Sequence, residues 1–200
     1  MPLVSMAQAL ADLERHMPAF FEITNGAWQD YHSKISQECQ LIFNATARAN
    51  NVHAFMIERA SRYAEACGAE SVKLFRHQQM QGLVIDQRYA IRFKKLNEDN
   101  KSRNQPSQQV RRFRDQIEFP DFPKAHHLEL GYVLDDSQAK FLESRLVSPS
   151  GEGYKWFCKL SPAEAVPKVV DIFELAEVEE VEAEVVPREK VVQLRKTDEN

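Results

Sequence analysis

The stretch LVIDQRYAIRFKKLNEDNKSRNQPSQQ, Leu83 to Gln109, decides the fold of this chain, because its pattern changes character twice. Leu83 to Ile85 and Tyr89 to Leu96 flank Asp86-Gln87 as two strands flank a turn. In the second run Tyr89, Ile91 and Phe93 alternate with Ala90, Arg92 and Lys94. Arg92 and Lys94 are therefore expected on one face. Asn97 to Pro106 is polar and charged, which marks a loop, and Pro106-Ser107 opens a helix reaching about Gln116.

Upstream, breakers are absent from about Met6 to His16 and from about Trp28 to Cys67. Leu41, Ala45, Ala49, Val52, Met56 and Ala60 recur there at helical spacing. The second region is long enough to predict two helices, broken near Asn50-Asn51 or Asn44 and ending at Cys67-Gly68. A strand with Val72, Leu74 and His77 follows, with a turn near Gln81-Gly82. Downstream, FPDFPKAHH is an extended connector, since each proline pushes the residue before it out of helix. His127 to Leu134, Lys140 to Ser148 and Tyr154 to Leu160 then form strands joined as an antiparallel meander. The expectation is an α+β domain over residues 1–160, helical over 1–68 and β-rich over 69–160, with a mainly antiparallel sheet and an inserted helix. Past Ser161, Glu174, Glu177, Glu179, Glu180, Glu182 and Glu184 interleave with valines and alanines, and 161–200 reads as a flexible, largely disordered acidic tail with at most a short helix from Pro162 to Leu175.

The 200 residues are 43% hydrophobic and 28% charged, enough for one domain core, and the formal net charge is −4. Against that acidic balance, Arg88, Arg92, Lys94, Lys95, Lys101, Arg103, Arg111, Arg112 and Arg114 meet only Glu98 and Asp99 before the last turn of the inserted helix. Such local imbalance points to an anionic partner, most simply DNA or RNA; a solvated basic face is the plain alternative. With Asn104 and Gln109 added for hydrogen bonding, Arg88, Arg92, Lys94, Lys95, Lys101, Arg103, Arg111 and Arg112 are the expected nucleic-acid contacts, with Arg92, Lys94 and Lys95 on phosphate. The Glu174 to Glu184 tail is expected to compete for that surface. Phe75, Tyr89, Phe93 and Trp156 have the chemistry to stack on bases, though aromatics in alternating strands are more often core.

The opening residues lack the basic and apolar regions of a secretory signal, and no segment approaches the roughly eighteen apolar residues of a membrane span. A soluble, cytoplasmic protein is expected. Cys39, Cys67 and Cys158 are odd in number and widely spaced, consistent with reduced thiols. His126, His127 and Glu129 offer metal-ligand types, and His127 and Glu129 would face one side, but zinc needs a third ligand; no metal or cofactor is expected.

The order helix, three strands, helix, strand resembles the core of the PD-(D/E)xK nuclease superfamily. That resemblance gives Asp86 and Lys94 the roles of metal carboxylate and catalytic lysine, with Glu58 as a further carboxylate. In IRFK, however, Arg92 stands where an acidic ligand belongs, and a guanidinium cannot bind a cation. Gln109 with Phe113 is similar to a glutamine–aromatic pair on the following helix of some members. The plain alternatives are a hairpin turn at Asp86, an ion pair of Glu58 with Arg62, and a solvated Lys94. Arg48 and His53 have the R-x4-H spacing of HEPN ribonucleases, whose all-helical fold the β-rich half contradicts.

VHAFMIERA at Val52 to Ala60, IDQRYAIRFKKL at Ile85 to Leu96, SRNQPSQQ at Ser102 to Gln109, LGYVLD at Leu130 to Asp135 and YKWFCKL resemble an uncharacterised bacterial family. The resemblance spans most of Val52 to Leu160, and Gln105 and Ser107 depart mildly from it. It implies companions such as Xre-type helix-turn-helix regulators and zinc-peptidase-like proteins, in toxin–antitoxin or phage-defence modules. It puts weight on Arg92, Lys94, Lys95, Asn104 and Gln109. The expected function is a nucleic-acid-binding component of such a module; a non-catalytic antitoxin or adaptor that seats a partner protein is the rival, and a phosphodiester-cleaving nuclease the third. A homodimer is the default assembly.

Overall fold

Four side chains set where helices begin. Ser5, Ser36, Asn44 and Ser107 accept the backbone N–H three residues on, at 3.2, 3.3, 2.8 and 3.3 Å, and so satisfy one otherwise unpaired donor of each first turn. In the computed structural model, which describes residues 3–77, 80–101, 107–122 and 124–162, the helices are α1 Met6–Leu13, α2 Met17–Lys34, α3 Gln37–Ile42, α4 Ala45–Cys67 and α5 Gln108–Arg114. A 3-10 turn, Glu14–His16, joins α1 to α2.

Pro18 and Gly26 do not interrupt the helical half. Pro18 lies in the first turn of α2, where its missing N–H costs nothing, so the helix starts well before Trp28. Gly26 sits inside α2 because a Cβ there would collide with the Arg59 guanidinium, which crosses from α4 to bond Asp30 Oδ2 at 2.6 Å. The helical region breaks at Asn44, as one of the two expected sites, and also before Ser36; α4 runs unbroken through Asn50-Asn51. Gly68 ends α4 with φ of 83°.

The strands are β1 Val72–His77, β2 Met80–Ile85, β3 Tyr89–Leu96, β4 His126–Leu134, β5 Phe141–Ser150 and β6 Gly153–Leu160, in a single sheet ordered as in the sequence. Every neighbouring pair is antiparallel except β3 and β4, which are parallel. A parallel pair needs a crossover. Here α5 and the connector that follows it provide one. Asp86 and Gln87, both at positive φ, make the tight β2–β3 turn, closed by Arg88 N–H on the Ile85 carbonyl at 2.9 Å. The α+β expectation, with helices first and a mainly antiparallel sheet interrupted by one helix, is the architecture observed.

Alternation then assigns two faces. Phe20, Ile23, Ala27 and Tyr31 of α2 and Val52, Met56, Ala60 and Ala64 of α4 repeat at helical spacing and pack on Ile91, Phe93, Leu128, Leu130, Leu146 and Cys158. On the opposite face Ala90 meets Phe113 of α5 and Phe119, Phe122 and Ala125 of the connector. A smaller apolar group there joins Leu96, Val133, Val147 and Phe157. The aromatic residues with the chemistry to stack on bases are core: Phe75, Tyr89, Phe93 and Trp156 are all buried, and Trp156 donates to the Val4 carbonyl at 2.9 Å. No described helix is long and apolar enough to cross a membrane. Residues 163–200, including the expected acidic tail and its Glu174 to Glu184 run, lie outside the described residues, as do Arg103 and Asn104.

Candidate nucleic-acid interface

Register places the basic run residue by residue. Gly82, Arg92, Glu129, Val147 and Phe157 form one row across the sheet, and Lys94, Gly131, Arg145 and Lys159 form the next row on that face. Arg92 and Lys94 share a face, as alternation requires, but α5 folds over it. Arg92 is 1% exposed, its Nε donating to Glu129 Oε1 at 3.1 Å and its Nη2 to the same oxygen. Its guanidinium lies 4.8 Å from the centre of the Phe113 ring. The expectation of Arg92 on phosphate is thereby corrected: the guanidinium is held inside, because the buried Glu129 carboxylate needs a cation.

Arg114 completes this cluster from α5. It donates to the Gly151 and Gly153 carbonyls, each at 2.6 Å, and its Nη1 stands 4.0 Å from Glu129 Oε1. His127 stacks on Phe113 with ring centres 4.4 Å apart, and its Nδ1 donates to the Phe113 carbonyl at 2.8 Å. Burial, only partly opposed by that carbonyl, holds His127 neutral down to about pH 4. Arg92 Nη1, Glu129 Oε2 and His127 Nε2 are buried without a hydrogen-bond partner among the described residues.

The remaining cations divide clearly. Arg88 pairs with Asp12 at 2.7 Å, and Lys95 Nζ donates to Gln138 Oε1 at 2.8 Å. Lys94, Lys101, Arg111 and Arg112, by contrast, form no ion pair with a carboxylate among the described residues. Lys101, Arg111 and Arg112 are exposed, with Arg112 lying over Phe119 at 5.4 Å. Lys94 is half-buried, not solvated. Burial first, then Arg92, push its ammonium down to about pKa 8, against the opposing pull of Glu129. Gln109, on the first turn of α5, is half-buried.

The nuclease-like trio is not gathered. Asp86 sits in the β2–β3 turn, bound by Arg15 at 3.0 Å and by Ser71 at 3.1 Å, whereas Lys94 lies five residues along β3, roughly 16 Å at strand rise. Glu58 pairs with Arg62 on the outer part of α4. The two plain alternatives, turn residue and helix ion pair, describe Asp86 and Glu58 as they stand. His126 and His127 alternate to opposite faces, and among the described residues no group of three or more His, Cys, Asp or Glu side chains converges. Arg48 donates to the Gln138 carbonyl at 2.8 Å, while His53 faces Phe93 at 6.5 Å between ring centres; the two line different clefts.

Two features escaped sequence reasoning. The role of Glu129 as counter-ion is one: considered only as a metal-ligand type, it is a carboxylate inside the apolar strand HHLELGYVL, and that setting is the signal of a buried cation. Leu41 and Ile42 on α3 are 86% and 80% exposed; Leu41 belongs to the apolar repeat that predicts helix, and such a repeat does not say which of its members are covered. No family model matches this chain, and neither the curated proteins nor the solved structures contain a match to it.

Proposed function

We propose that this protein is the nucleic-acid-binding component of a bacterial toxin–antitoxin or phage-defence-type module. Lys101, Arg111 and Arg112 would contact the phosphate backbone. The observation that carries this reading is the division of the basic run: Arg88 and Arg92 are neutralised by Asp12 and Glu129, while the exposed Lys101, Arg111 and Arg112 have no carboxylate partner among the described residues. Phosphate contacts of this type give affinity without sequence choice. The module assignment rests on the resemblance over Val52 to Leu160.

A salt titration of labelled DNA and RNA binding tests it. Each phosphate contact removed should flatten the dependence of log K on log salt by about one unit, so Arg111→Ala/Arg112→Ala should bind less tightly and with a shallower slope than wild type. Arg88→Ala should leave the slope alone. Equal slopes in all three proteins would sink the proposal. Magnesium-dependent cleavage in the same assay would instead favour the nuclease reading.

The exposed Leu41 and Ile42 favour the second reading, a protein-binding antitoxin or adaptor. Salt-tolerant copurification with a helix-turn-helix or zinc-peptidase-like neighbour, lost in Leu41→Ser/Ile42→Ser, would decide for it.

A further inference from the structure

The geometry points to the cleft between the start of α4 and the end of β3 as a binding site for a single phosphate-bearing nucleotide unit, either a free nucleotide or the terminal residue of a nucleic-acid strand. The strand-end source rests on the nucleic-acid reading above; the free-nucleotide source does not.

The cleft has a volume of about 460 Å³ and is walled by α4, β3 and the turn after β4. That volume falls within the usual range of small-ligand sites. It exists because β2 stops pairing with β3 at Gly82–Arg92, so that from Phe93 onward β3 has no partner strand on that side among the described residues. Lys95 faces α4 from β3, Lys94 lines the cleft from the unpaired edge of the same strand, Asn50 and His53 come from one face of α4, and Glu98 and Asp136 from the loops at its mouth.

This mixture of charges selects the ligand class. A continuous phosphate backbone would meet Glu98, Asp135 and Asp136 as well as the lysines, and be repelled. A nucleotide carries its negative charge at one end only. Its phosphate matches the lysine ammoniums, its sugar hydroxyls donate to carboxylates, and its base edge suits the amides of Asn50 and Asn97. Several walls are fixed in advance. Lys95 is held by Gln138, and Asp135 accepts from the N–H groups of Ala139 and Lys140 at 2.8 and 2.9 Å, which sets the turn. Preorganisation of this kind reduces the ordering cost of binding.

Lys94 gives the site a pH dependence. Its ammonium is faced by Arg92 on its own strand, by Glu129 of β4 and by His53 of α4, with Lys95, Glu98, Asp135 and Asp136 around the cleft. His53 is held toward the neutral form by burial and then by Lys94, so it offers one donor and one acceptor. Burial and Arg92 leave Lys94 titrating near 8, and a bound phosphate would favour its charged form. Affinity should therefore fall as pH rises through 8.

Calorimetric titration of the full chain with the common ribonucleoside 5′-monophosphates, the matching nucleosides, and one short oligonucleotide with and without terminal phosphates tests the site. His53 imidazole resonances provide a second readout. A monophosphate should bind, its nucleoside about tenfold more weakly, and both Lys94→Gln and Ala49→Phe should abolish the preference. Thermal unfolding shows whether each variant is folded; should Ala49→Phe fail to fold, Lys94→Gln alone decides. Monophosphate binding with no oligonucleotide binding supports the cleft as a free-nucleotide site and overturns the nucleic-acid reading. Oligonucleotide binding indifferent to terminal phosphates and to both variants overturns the cleft and leaves the nucleic-acid reading standing. Absence of binding by every probe overturns both.

Discussion

Beneath α2 and α4 the row Phe93, Leu130, Leu146 and Cys158 crosses the sheet without a polar atom in its side chains except a thiol, whereas the adjacent row on the other face runs Arg92, Glu129, Val147 and Phe157. Both rows contain fully buried members. The first is held by area removed from water, which is non-directional and tolerates repacking. The second is held by one carboxylate between two guanidiniums, where each member depends on the others being present. Burial alone therefore does not say how a face responds to change. Its chemistry does.

That contrast can be broken most sharply at Glu129. Glu129→Ala strands Arg92 and Arg114 in the interior and should cost about 3–5 kcal/mol in denaturant unfolding. The double variant Arg92→Met/Glu129→Leu should recover most of that loss, because an apolar pair of similar volume has no desolvation cost to offset. Additive losses in the double-mutant cycle would show that the pair is not coupled. On the apolar face, Leu130→Ala should cost about 2–5 kcal/mol through lost transfer energy and the cavity left behind. There no second substitution on a neighbouring strand should restore stability except by refilling the volume.

The smallest effect sharpens the comparison through pH. His127 titrates at about 4 in the fold, below its ordinary 6.5, because it is buried against Phe113. The unfolded chain thus binds more protons between these values. Stability from the neutral ring is fully present above pH 6.5 and is lost as pH falls toward 4, by on the order of 1–3 kcal/mol. His127→Phe should keep the stacking and flatten that part of the stability–pH curve. An unchanged curve in the variant would mean that another group is responsible. No matching titration exists on the apolar row, which carries no group ionising in that window.

Much of the fold was legible because local rules agree with the tertiary arrangement. Period-two alternation from Tyr89 to Lys94, the turn at Asp86-Gln87, and the capping residues Asn44 and Ser107 each specify their element without help from distant chain. The start of α2 was not legible, since Pro18 reads as a breaker until its place in a first turn is known. The site was legible only in part. Charge counting found Lys94, Lys101, Arg111 and Arg112, but the same counting included Arg92, whose partner Glu129 lies 37 residues away. The cleft beside Lys94 and Lys95 arises from where β2 stops pairing and from which turn of α4 lies opposite. Neither has a local signature.

Sequence by itself determined the elements, their order and the face on which each strand residue lies, because backbone sterics and side-chain period act over a few residues. Only the tertiary structure decided which cations of the Arg88 to Arg114 run are internal and which are available. Charge pairing depends on distance in space, and α5 and β4 bring Arg114 and Glu129 to Arg92 only when the parallel crossover closes.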